Sequence, residues 1–180
     1  MTTSSEVDWQ PSGKGSGMNI RLARIDDRLI HGQVVTVWAK EAKAERILII
    51  DDEVAGDEVR RVLLKQAAPP GVKVNVVSVD KSIKVFNNPK YRDENVMFLF
   101  TGPSAPLRMV KAKVPIESVN VGGMQFRAGR TQVTKACSVN PEEAAQFKGL
   151  MDLGVKLDLR VIASDSAEDF GKKLRAAGLA

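Results

Sequence analysis

Short apolar runs alternate with segments of helical periodicity along almost the whole chain, and this alternation constrains the fold more than any other feature. Ile20–Ile25, Ile47–Ile50, Val72–Val79, Val96–Phe100, Ser118–Val121 and Leu157–Ile162 read as strands. Between them Gln33–Ala42, Asp57–Ala67, Lys81–Asn87, Ser104–Ala112, Pro141–Leu153 and a closing Ala167–Ala177 read as helices. Asp57 is placed to cap the second helix, and Pro69-Pro70-Gly71 stops it. Asn140 caps the fifth, with Pro141 at the first helical position, where a missing N–H costs nothing. Strands separated by such helices pair in parallel through crossovers. The expected fold is therefore α/β, a single open, mostly parallel twisted sheet with helices on both faces.

The chain of 180 residues, 43% of them apolar, suffices for one such domain, expected over residues 18–180. Residues 1–17 lack apolar periodicity and are rich in Ser, Thr and Gly, as expected of a disordered leader or an appended tag. The longest apolar run, Val96–Phe100, is far below the ~20 residues of a membrane span, and no basic-then-apolar leader opens the chain, so a cytoplasmic protein is expected. A lone Cys137 excludes a disulfide framework and reads as a buried, inert thiol. The net charge of +5 favours anionic ligands or acidic partners. Its Lys and Arg are not interleaved with aromatics, so no nucleic acid is expected as a partner.

Ligand sites in open α/β sheets lie beyond the carboxyl ends of the strands. The segment Arg24-Ile25-Asp26-Asp27-Arg28-Leu29-Ile30-His31-Gly32-Gln33 occupies such a place after the first strand, and it contains the chain's only histidine. An unperturbed imidazole is largely a free nucleophile at neutral pH. Phosphoryl transfer needs an in-line nucleophile and positive charge around the phosphoryl oxygens. His31 offers the first. Arg28 offers the second as a planar fork of donors, Gly32 lets backbone approach closely, and the N–H groups of the following helix point at the loop. Asp26 either fixes the imidazole tautomer or orients Arg28 or Arg24, and Asp27 reads as a cap.

Arg24–Val34 resembles the active-site signature of mannose/sorbose-type enzyme IIB of the bacterial sugar phosphotransferase system. Leu64–Gly71, Asn87–Tyr91, Asn120–Met124 and Thr131-Gln132-Val133 agree with it, so the likeness spans roughly Met18 to Ser164. The resemblance implies that His31 takes a phosphoryl group from phosphorylated enzyme IIA. It then passes the group to a sugar entering through the membrane components IIC and IID, so the domain sits peripherally at the inner face of the membrane. Arg28 would hold the phosphate, with Arg24, Asp26, Asp27, Gly32 and Gln33 along the same loop. Met18–Ala23 and Val155–Asp165 look closer to the sorbose than the mannose branch. Phe100-Thr101-Gly102-Pro103 departs from the Phe-Thr-Asn-Pro common in the family, which puts recognition by that loop in doubt.

Gly122-Gly123 reads either as a pair supplying close backbone N–H groups or as a tight turn. Arg108, Lys111, Lys113, Arg127, Arg130 and Lys135 read either as a docking face for an acidic rim or as solvated charge. Asp51-Asp52-Glu53 could bind Mg²⁺, but no second acidic strand end accompanies it, so neither metal nor cofactor is expected. Gly13-Lys14-Gly15-Ser16-Gly17 lacks the spacing of a phosphate loop. Trp38 reads as core packing. Two competing functions are a noncatalytic anion-binding module on the same loop and a Mg²⁺-dependent hydrolase using Asp51 and Asp52.

Overall fold

The computed structural model describes residues 17–32 and 34–180, so most of the amino-terminal segment, including Gly13–Ser16, and Gln33 lie outside the described residues. The main sheet contains β1 (Asn19–Asp26), β2 (Arg46–Ile50), β3 (Lys73–Val77), β4 (Asn95–Phe100), β5 (Ser118–Gly123), β8 (Lys156–Leu159) and β9 (Glu168–Asp169). Their order is β3-β2-β4-β1-β5-β8-β9, and every pairing is parallel except that of β8 with β9. A separate antiparallel hairpin joins β6 (Thr131–Thr134) to β7 (Cys137–Val139).

Side chains alternate across each strand and divide the core into two layers. Ile47, Ile49, Met97 and Leu99 face one side, where α1 (Val34–Glu41), α2 (Asp52–Ala55) and α3 (Glu58–Gln66) bury Val35, Trp38, Val54 and Leu64. Leu48, Ile50, Phe98 and Phe100 face the other. There α4 (Val79–Phe86), α5 (Ser104–Lys111), α6 (Pro141–Asp152) and α7 (Phe170–Ala176) contribute Phe86, Met109, Phe147 and Leu174. The expected architecture is thus the observed one.

Boundaries shift for local reasons. Val79, expected to end a strand, begins α4 because the Ser78 side chain accepts from the Lys81 N–H and turns the chain. The last strand stops at Leu159, because the carbonyls of Arg160 and Val161 turn to accept from Arg24. The closing helix starts at Phe170, since Glu168 and Asp169 pair with Leu159 and Asp158 and Asp169 caps the helix. Asp57 and Asn140 cap as expected, and Asn140 with Glu143 forms a reciprocal capping box.

This topology positions the site. β1 sits between β4 and β5, and the chain leaves β1 for a helix on one face but leaves β4 for a helix on the other. The carboxyl ends of β1 and β4 therefore flank a crevice at a topological switch point, where the Asp26–Gly32 loop emerges.

Candidate functional site

Asp26 ends β1 and is 1% exposed, so its carboxylate requires partners. Oδ1 accepts from the Arg28 backbone N–H at 3.2 Å and from Arg28 Nε at 3.3 Å. Oδ2 accepts from Arg24 Nη2 at 3.3 Å and lies 3.8 Å from His31 Nε2. A single buried carboxylate thus holds one arginine of the loop and one arginine beneath it, and lies close to the histidine ring.

The loop closes as a turn in which Leu29 N–H donates to the Asp26 carbonyl at 2.9 Å. Leu29 adopts φ +56°, a left-handed conformation that opposes its Cβ, and its buried side chain holds it there. The Leu29 carbonyl then accepts from His31 Nδ1 at 2.9 Å. His31 is partly exposed, while its Nε2 is shielded from solvent and has no hydrogen-bond partner. Gly32 has φ +50° with open space where a Cβ would stand, so backbone conformation selects glycine there.

Arg28 is 42% exposed, and only its Nε is engaged among the described residues, which leaves the terminal guanidinium nitrogens for an external anion. Its side chain lines a groove of about 940 Å³ shared with Phe126, Gln132, Lys135, Arg160 and Lys173.

Arg24 is a correction. Expected on the phosphate-holding loop, it lies inside β1 at 1% exposure, out of reach of a bound anion. Its guanidinium donates to Asn120 Oδ1 at 2.5 Å, the Arg160 carbonyl at 2.9 Å, the Val161 carbonyl at 2.8 Å and Asp26, and it lies over the Trp38 ring at 4.8 Å. Burial pushes its pKa below the usual arginine value, and the Asp26 charge opposes that shift. Gly122 is also corrected: it is neither turn nor anion cradle. A Cβ at Gly122 would fall 2.2 Å from Arg24 Cζ, so the glycine admits the guanidinium. Gly123 ends β5, its carbonyl accepts from the Asp27 N–H at 3.1 Å, and it borders Arg28 and Asp26.

Asp27 does not cap a helix, contrary to expectation. Its Oδ2 accepts from the Gln125 N–H at 2.8 Å and faces Arg130 at 3.5 Å. Arg130 is 10% exposed and engages Glu143, and Arg108 pairs with Asp52, so neither is a free cation of a docking face. Lys111, Lys113, Arg127 and Lys135 remain exposed. Asp51 caps α2 and accepts from Thr101, while Asp52 accepts from the Val79 N–H and Arg108. Among the described residues no three acidic, histidine or cysteine side chains converge to hold a metal ion. Likewise, no helix among them is long and apolar enough to cross a membrane. Trp38 packs in the core, donating Nε1–H to Val161 at 3.3 Å.

Known proteins resemble this chain over most of its length. Residues 20–179 match the model of the family described as PTS system sorbose subfamily IIB component. The chain is 55% identical over 157 residues to the sorbose-specific EIIB component of Lacticaseibacillus casei, covering 87% of this chain and 96% of that one. It is 53% identical over 156 residues to the mannose-specific EIIAB component of Escherichia coli (strain K12), covering 87% of this chain and 48% of that longer protein. The crystal structure of the IIBSor domain of the sorbose permease from Klebsiella pneumoniae superimposes with a TM-score of 0.85 at 54% identity, covering 89% of this chain and 97% of the domain. The chain belongs to the sorbose subfamily of phosphotransferase-system IIB components.

Proposed function

We propose that this chain is a histidine phosphocarrier: His31 accepts a phosphoryl group from phosphorylated enzyme IIA and transfers it to a sugar of the sorbose or mannose class during uptake through IIC and IID. The observation that carries this reading is a partly exposed imidazole and Arg28, whose terminal nitrogens are unengaged among the described residues, gathered around one buried carboxylate: Arg28 bonds to Asp26, and the His31 ring lies 3.8 Å from it. Position and positive charge are the main requirements of phosphoryl transfer. The chain's one thiol is a poor competitor. Cys137 is buried, and desolvation pushes its pKa up to about 11, so it holds its proton at neutral pH.

The surroundings of the ring favour Nδ1 as the accepting atom. Nε2 is shielded and faces Asp26, whereas Nδ1 gives up a single bond, to the Leu29 carbonyl, on turning outward. As the ring leaves the Leu29 carbonyl, its proton passes through solvent from Nδ1 to Nε2, on the side of Asp26, and this frees the Nδ1 lone pair. The new N–P bond forms as the donor's N–P bond breaks, and that electron pair returns to the donor imidazole. Arg28 compensates the phosphoryl oxygens throughout. Gly32 and, by sequence position, Gln33 complete the loop, and the protein works against the inner face of the membrane through its permease partners.

The test is incubation with phosphoenolpyruvate, enzyme I, the phosphocarrier HPr and a cognate enzyme IIA, followed by mass spectrometry. An acid-labile phosphoryl adduct on wild type that is absent from His31→Gln is expected. Labelling that persists in His31→Gln would overturn the assignment.

A further inference from the structure

The loop's second aspartate leads away from the nucleophile into a network that the phosphocarrier reading does not use. Asp27 is 4% exposed, and its Oδ2 accepts from the Gln125 N–H at 2.8 Å. Arg130 reaches the same oxygen at 3.5 Å and donates to the Gln125 carbonyl at 2.6 Å. The other side of that guanidinium meets Glu143 fork to fork, Nε to Oε1 at 3.0 Å and Nη2 to Oε2 at 2.8 Å. Glu143 in turn accepts from the Asn140 N–H at 2.9 Å as part of the α6 capping box. One planar cation therefore joins the loop after β1, the segment after β5 and the start of α6.

We propose that Arg130 is a positioning residue for phosphoryl transfer, holding Asp27 so that Arg28 and the Leu29 carbonyl stay in register with His31. The inference rests on the phosphocarrier reading above. Three observations carry it. Asp27 immediately precedes Arg28, whose guanidinium is the loop's contact with the groove. Leu29 holds a left-handed conformation, which persists only where its neighbours over-determine it. Asp27 is the anchor on one side of that residue, and the buried Leu29 side chain anchors the other. Finally, the Leu29 carbonyl is the hydrogen-bond partner of the His31 ring, so relaxation at Asp27 is transmitted to the nucleophile through two residues of backbone. Arg is suited to this task because its rigid fork satisfies Glu143 with two nitrogens while the third serves Gln125 and Asp27; a lysine ammonium is a single point.

The experiment compares wild type with Arg130→Gln, Arg130→Lys and Glu143→Gln by labelling rate from phospho-enzyme IIA across donor concentrations. It also records the ¹⁵N resonances of the His31 ring. Expected for Arg130→Gln is a fall in the rate at saturating donor of at least about ten-fold, with displaced His31 resonances. Arg130→Lys should recover part of the rate, and Glu143→Gln should show a smaller change of the same sign. Folded variants that label at the wild-type rate with unmoved His31 resonances would overturn the proposal. So would a change confined to KM, which would make Arg130 a docking residue. Should Arg130→Gln fail to fold, Glu143→Gln decides by the same two readouts. Absence of labelling in wild type would instead overturn the phosphocarrier reading, and this one with it.

Discussion

Gly122 stands against the guanidinium of Arg24 so closely that a Cβ would lie 2.2 Å from its Cζ and Nη2. The arginine has nowhere to retreat, because carbonyls of Arg160 and Val161, the Asn120 amide and the Asp26 carboxylate hold it on its other edges. Gly122→Ala is therefore expected to destabilise the domain by about 3 kcal/mol, at the upper end of overpacking costs. Urea unfolding measures it.

Asp26→Asn keeps the shape of the side chain but leaves Arg24 buried without its counter-charge. Removing one partner of a buried ion pair costs about 3–5 kcal/mol, and that loss is expected by denaturant titration. A Gly122→Ala, Asp26→Asn double variant should show non-additive losses, since both changes act on one guanidinium.

Arg28 presents the opposite case. It is 42% exposed, so Arg28→Lys should alter stability by no more than about 0.5 kcal/mol. Its labelling rate from phospho-enzyme IIA should fall at least about ten-fold, because the planar fork is lost. Equal rates with unchanged stability would remove Arg28 from the phosphate-holding role.

The Cys137 thiol should react slowly. With its pKa raised by burial from 9.0 to about 11, the native thiolate fraction at pH 8 is roughly a hundred-fold below that of the unfolded chain. The sign for stability follows from the folded state binding this proton more tightly. The contribution is intact below pH 9 and is lost as pH rises from 9 through about 11. Thiol-reagent kinetics with and without urea, and Tm across alkaline pH, check both expectations.

The layered sheet was legible because strands at its centre, as at Ile47–Ile50 and Val96–Phe100, carry apolar residues on both faces. The small elements were not. The β6–β7 hairpin contributes strands of four and three residues, too short to show a period, and β9 hides its two residues in what reads as the start of a helix. At the site, His31, Arg28 and Asp26 stand out as a local cluster and do lie together. The burial of Arg24 was hidden because its partners come from Asn120 and Arg160–Val161, far along the chain, and an arginine read alone belongs at the surface. Gly122 was the available clue: a glycine inside a strand marks close approach by another group.

On the phosphocarrier proposal, the fixed carboxylate under the histidine has one more implication. A dianionic group set on the imidazole would arrive beside Asp26, whose 1% exposed carboxylate is already shared between Arg24 and Arg28. Arg28 would then divide its charge between Asp26 and the phosphoryl oxygens, and the loaded state would sit in a shallow well. A domain built this way would relay its cargo instead of hoarding it.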